Sequence, residues 1–172
     1  MPLTWSPTNK TEIYRFSPIV LILAPLFALV IQTYLPLYIT AVSFLDLPLL
    51  VVIYFGLARR NPVEGILGGA VIGMAQDALS RGPIGLLGSA KTVIGYVTSF
   101  ASVRFTVEHR GVRAITIFSL YYLQFFLLYF FGTLMLGQPL ALGGANRILA
   151  ALVNTVVGVL LFEVLDRFRK PA

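Results

Sequence analysis

Two charged side chains stand close together inside apolar sequence: Asp77, near the end of the segment Pro62–Ser80, and Lys91, in the segment that follows. A carboxylate and an amine held in lipid can pass protons or ions along a route, pair with each other, or, for the lysine, reach outward to the membrane surface. Asp77 lies four residues before Arg81 and Lys91 six after Gly85, so at about 1.5 Å of rise per residue their depths differ by about 3 Å. An Asp77–Lys91 ion pair, or Lys91 snorkelling outward, is preferred to a relay, because ion pathways generally show more than one buried acid along a route. Another acid, Asp46, precedes Leu47-Pro48 and is expected to cap the helix that Pro48 opens. Glu64 follows Pro62 in a first turn, where the helix dipole favours negative charge.

The elements that must position these groups are marked by glycine. Gly65, Gly69 and Gly73 are spaced by four, the next step of four is Asp77, and Gly68 widens the strip. Small residues at this spacing let helix backbones approach closely in a membrane. After the turn Arg81-Gly82-Pro83-Ile84-Gly85, the residues Gly88, Lys91, Thr92, Gly95, Thr98, Ser99 and Ser102 form a matching small and polar stripe. The two segments are expected to close face to face as a hairpin, with Asp77 at the edge where they meet.

The wider composition is that of an integral membrane protein. Of 172 residues 58% are hydrophobic and 12% charged, with a mean hydropathy of +0.87, which leaves too few polar side chains to cover a water-soluble surface. About 20 apolar residues cross a bilayer, and the chain divides into about six such segments, Pro18–Tyr38, Ala41–Ala58, Pro62–Ser80, Leu86–Val103, Arg113–Leu136 and Asn146–Leu165, in one all-α transmembrane domain covering residues 1–172. Lys10, Arg15, Arg59, Arg60, Arg104, Arg110, Arg113, Arg167, Arg169 and Lys170 fall at the termini and even-numbered loops, whereas the odd-numbered loops and their helix ends hold Arg81 and Arg147. By the positive-inside rule both termini are expected in the cytoplasm, as a short N-terminal segment, 1–17, and a short basic tail, 166–172, able to contact anionic lipid.

Several function classes are disfavoured. The chain has no cysteine, which removes disulfide and thiolate chemistry. The single histidine, His109, lies in a basic loop with Glu108, too sparse a set for a metal. No nucleophile has an evident base beside it, so no catalytic, cofactor or metal residues are expected. The basic residues lie between spans and not on one face, which argues against nucleic acid. In the fifth segment Tyr121, Tyr122, Phe125, Phe126 and Tyr129 run through the middle, where interfacial aromatics do not belong; they offer either a lipid-facing surface or a face for a partner helix. Asn154 is expected to hydrogen-bond a neighbouring helix.

The stretch Pro48–Tyr96 resembles the MreD family of bacterial rod-shape proteins: a proline in the second span, Tyr54, Pro62, Gly65, Gly69, Gly73, Gln76-Asp77, Gly82-Pro83-Ile84-Gly85 and Gly95-Tyr96. The resemblance implies a non-enzymatic scaffold of the elongasome in the bacterial inner membrane. Its partners would be MreC, a single-span protein, and through it the actin-like MreB and the RodA glycosyltransferase with its transpeptidase; a homo-oligomer held through MreC is compatible with it. It also implies a fold similar to the S-components of energy-coupling-factor transporters. Gly65, Gly69, Gly73, Gln76, Asp77, Gly82, Pro83, Gly85, Lys91 and Gly95 are then the helix-packing or partner interface, although Lys91 enters on geometry alone. The competing readings are a vitamin-binding subunit of such a transporter, with Ala24 and Ala28 as its weak first-span signal, and a proton-coupled transporter using Asp77 and Lys91.

Overall fold

The computed structural model describes residues 17–39, 44–80, 82–104, 109–137 and 146–168. The expected cytoplasmic segment 1–17, except Ser17, and residues 169–172 of the tail lie outside them. So do Lys10, Arg15, Arg81, Arg169 and Lys170, on which part of the orientation argument rests. Among the described residues there are six α-helices: α1 (Pro18–Tyr34), α2 (Leu47–Arg59), α3 (Pro62–Leu79), α4 (Leu86–Arg104), α5 (Arg110–Leu136) and α6 (Asn146–Asp166), with one 3-10 turn, Leu35–Leu37, after α1. The protein is an all-α membrane protein. Among the described residues three stretches are long and apolar enough to cross a membrane, Pro18–Leu37, Arg110–Met135 and Arg147–Asp166. In α3 and α4 the spaced glycines, Asp77 and Lys91 dilute the apolar content.

The second segment differs most from expectation. Its helix starts at Leu47, not near Ala41, because Asp46 accepts a hydrogen bond from the Leu49 N–H at 3.0 Å and Pro48 sits in the first turn. With 13 residues it is about 20 Å long, too short to cross a hydrocarbon core of about 30 Å unaided. It does not face lipid: α2 touches each of the other five helices, and Leu49, Leu50, Ile53 and Tyr54 have no exposed surface. A helix apolar on all sides is stable where other helices surround it. By contrast α1 is peripheral, with Ile19, Leu23 and Phe27 exposed and Ala28 and Leu29 buried. On α6, Gly158 lies against Ile117 of α5 and Leu50 of α2, where a Cβ would approach to 2.9 Å.

Helices α3 and α4 form the tightest contact, as the glycine spacing predicts. A Cβ on Gly65 would overlap the Gly95 carbonyl, one on Gly69 the Lys91 carbonyl, and one on Gly73 would come to 2.6 Å from the Leu87 carbonyl oxygen. As the glycines advance by four along α3, their partners retreat by four along α4, which is the register of an antiparallel pair. Gly95 answers Gly65 in the same way from the opposite helix. Gly68 is different, since nothing lies within 4 Å of a Cβ built there. In the connecting turn Gly85 has φ +96°, a conformation glycine adopts without strain.

This contrast gives a test. Gly69→Ala should lower stability by about 1–3 kcal/mol through overpacking against backbone, read as a lower unfolding midpoint in detergent and lower membrane accumulation. Gly68→Ala should leave both unchanged or slightly raised; equal losses for the two substitutions would contradict the assigned contact face.

Candidate functional site

Lys91 does not pair with Asp77. It is fully buried, and its Nζ donates to Asp46 Oδ2 at 2.8 Å and to Gln124 Oε1 at 3.1 Å. Gln124 Nε2 in turn donates to the same Asp46 oxygen at 2.7 Å. The carboxylate, ammonium and amide thus close a triangle that ties the start of α2 to α4 and α5. Snorkelling is also overturned, because the side chain reaches inward to the counter-charge ahead of α2. Snorkelling fails on depth, because Lys91 lies about 8 Å along α4 from its first residue and a buried ammonium needs a charged partner and further acceptors; pairing with Asp77 fails because the N–H groups at the start of α4 already hold that carboxylate. Asp46 is both the expected cap and an ion-pair partner.

Asp77 has a separate task. Its Oδ2 accepts from the N–H groups of Gly85 at 2.9 Å and Gly88 at 2.9 Å, and Oδ1 accepts from that of Leu87 at 3.0 Å. These are free donors at the beginning of α4, so one carboxylate on α3 caps the neighbouring helix across the turn. The unsatisfied N–H groups and positive dipole of a helix start suit an anion. Charge is therefore compensated without any lysine.

Asn154 completes this end. Its Oδ1 accepts from the Asp46 N–H at 2.8 Å, and its Nδ2 donates to the Phe44 carbonyl at 2.6 Å and the Ala150 carbonyl at 2.8 Å. From α1, Gln32 Nε2 donates to the Leu45 carbonyl at 2.8 Å and its Oε1 accepts from the Leu47 N–H at 3.0 Å. Thus α1, α4, α5 and α6 each send a polar side chain to the entry of α2. At the opposite end Arg113 donates to Asp166 Oδ2 at 2.7 Å and the Tyr54 hydroxyl to Asp166 Oδ1 at 3.0 Å. Arg59 pairs with Glu64, so Glu64 combines its first-turn position with an ion pair.

Two concavities flank this framework. A polar pocket of about 250 Å³ lies between α1, α3, α5 and the entry to α2, with Gln32, Asp46, Gln76, Tyr121 and Gln124 on its wall. An apolar groove of about 630 Å³ runs between α1, α2 and α3, bordered by Pro25, Leu29, Phe55, Gly68 and Val71, with Arg59 and Glu64 also on its lining. The aromatic set divides: Tyr121 and Phe125 line the polar pocket, whereas Phe126 is exposed and Tyr122 and Tyr129 are half-buried. No protein-family model, characterised protein or solved structure matches the chain. Among the described residues no three His, Cys, Asp or Glu side chains gather to hold a metal.

The structure therefore brings Gly65, Gly69, Gly73, Asp77, Gly85, Lys91 and Gly95 into one hairpin, with Gln76 turned to the polar pocket. Gly82 donates to the Ser80 carbonyl at 2.7 Å, while the Pro83 carbonyl accepts from Leu86 at 3.4 Å. Sequence reading missed Gln124 and the pairing of Asp46. The available signal was an isolated glutamine within the aromatic fifth segment, since a polar side chain in lipid requires a partner.

The capping assignment is testable at Asp77. Asp77→Ala should destabilise by about 2 kcal/mol, the upper range for a lost cap, and speed hydrogen exchange at Leu87 and Gly88. Asp77→Asn should be milder, because its amide oxygen still accepts. Unchanged exchange at the start of α4 in Asp77→Ala would refute the cap.

Proposed function

We propose that this chain is a non-enzymatic scaffold of the MreD type in the cytoplasmic membrane of a bacterium. It binds the span of MreC and thereby supports MreB and RodA with its transpeptidase in peptidoglycan elongation and rod shape. The observation that carries the reading is the role of the stretch that resembles the family. Its glycines set the α3–α4 contact, its aspartate caps α4, its Gly85 makes the turn, and Tyr54 joins α2 to Asp166. Charges that a transporter would leave available are used here to fix helices. The cationic ends of α2, α4 and α5, with Arg59, Arg60, Arg104, Arg110 and Arg113, support the orientation with both termini in the cytoplasm.

The apolar groove beside α3 supplies a face for the partner span. Gly68 opens onto unoccupied space there, and small residues are where helices approach most closely in lipid. The vitamin-subunit reading would draw on the polar pocket instead. At about 250 Å³ that pocket is below the roughly 300–1,000 Å³ usual for drug-sized ligands, which favours the scaffold.

Depletion of the protein in its rod-shaped host should give round cells, and MreC should co-purify in mild detergent. Gly68→Leu should fill the groove and reduce recovered MreC at least about fivefold, the loss of roughly one good packing contact, without lowering accumulation of the chain itself. Normal rods after depletion, or undiminished MreC with Gly68→Leu, would count against the scaffold and against this face respectively.

A further inference from the structure

We infer that the apolar groove between α1, α2 and α3 is a binding site for one anionic phospholipid, with an acyl chain lying along the groove and the phosphate held at Arg59. The inference concerns the chain by itself and does not rest on the scaffold reading. It begins from how polarity is distributed. Of the residues lining the groove, Arg59 and Glu64 alone are charged, and both stand at one end, where α2 finishes and α3 begins. From there to Ala75, the last lining residue of α3, the run is apolar and about 16 Å long, close to the roughly 15 Å of hydrocarbon in one leaflet. Its volume, about 630 Å³, lies in the range of sites that enclose a small ligand. Leu26 on α1 and Leu67 and Val71 on α3 line the groove and are exposed, so it opens to the bilayer and a lipid tail enters from the side.

The charged end selects the head. Arg59 spends Nε on Glu64, its one partner among the described residues, which leaves both Nη groups as a planar fork suited to phosphate oxygens. Glu64 is met a second time by the Asn61 amide, at 3.2 Å. Arg60 follows directly, and two arginines against one glutamate leave one net positive charge at this end. A zwitterionic head leaves that charge uncompensated, whereas a net anionic head neutralises it. Arg60 also has φ +51°, the one positive value among the described non-glycine residues, at a helix-ending position where glycine is the usual residue. The chain thus keeps a cation beside the groove at a conformational cost. A partner span docking at Gly68 has to displace the lipid tail, so the two occupants exclude each other.

The test is native mass spectrometry of the purified full chain, without MreC, released from micelles holding equal phosphatidylglycerol and phosphatidylethanolamine with identical acyl chains. Wild type should retain phosphatidylglycerol at least about fivefold over phosphatidylethanolamine, below the tenfold or more that one hydrogen bond to a charged group can supply. Arg59→Gln should cut that preference at least about threefold, and Glu64→Gln should raise it. Arg60→Gly should lower the preference while the unfolding midpoint holds or rises, because glycine suits the backbone there, so a folding defect cannot imitate the loss. Gly68→Leu should reduce both lipids alike, since it blocks the tail and not the head. Arg104→Gln, on a helix that does not line the groove, should change nothing. Equal retention of the two lipids by wild type would overturn the proposal and leave the groove to bulk lipid or a helix. A preference that survives Arg59→Gln, or falls as far in Arg104→Gln, would overturn it as general attraction to a basic surface. Undiminished lipid in Gly68→Leu would overturn the placing of the tail.

Discussion

Burial of the Lys91 ammonium sets the terms for this fold. A charge with no exposed surface in a helical membrane protein needs an opposite charge and enough additional acceptors to replace water. Asp46 and Gln124 provide them, at 2.8 and 3.1 Å. Because Asp46 also caps α2, satisfying the lysine fixes where that helix begins and how it sits against α4 and α5. Asn154 and Gln32 then hold the peptide groups on either side of the same aspartate. The short central helix is thereby anchored at one end by four neighbours, and at the other by Tyr54 and Asp166.

The glycine contact and the Asp77 cap depend on one another. Close approach of α3 and α4 is what brings the start of α4 within reach of Asp77, and the cap in turn holds the register that keeps Gly69 against the Lys91 backbone. Dispersion across a glycine interface is short-ranged and weakly directional, whereas a carboxylate on three N–H groups is directional. Together they give a hairpin rigid enough to organise the other helices. Among the described residues of the hairpin, Glu64, Asp77 and Lys91 are each engaged in an ion pair or a cap.

Much of this was legible in the residues. The step of four through Gly65, Gly69, Gly73 and Asp77 located the tightest helix pair, because small-residue spacing maps directly onto helix geometry. Asp46 before Leu47-Pro48 located the cap. The charge pairing was not legible: equal depth made Asp77 and Lys91 look like partners, yet depth is only one of the coordinates that bring two side chains together. The direction of each side chain around its helix, and the competition from free N–H groups at the start of α4, turned Asp77 away. Gln124 and Asp46 reach Lys91 from segments distant in sequence, and no local pattern encodes that approach. The two concavities are equally non-local, each needing side chains from three or more segments.

The most direct test is a pair of double-mutant cycles on unfolding in mixed micelles. Lys91→Met and Asp46→Asn should each destabilise strongly, by about 3–5 kcal/mol for a buried pair broken on one side, and the double substitution should recover most of that loss. Lys91→Met combined with Asp77→Asn should instead be additive within about 0.5 kcal/mol, as for independent sites. Coupling of Lys91 to Asp77 and additivity with Asp46 would contradict the account.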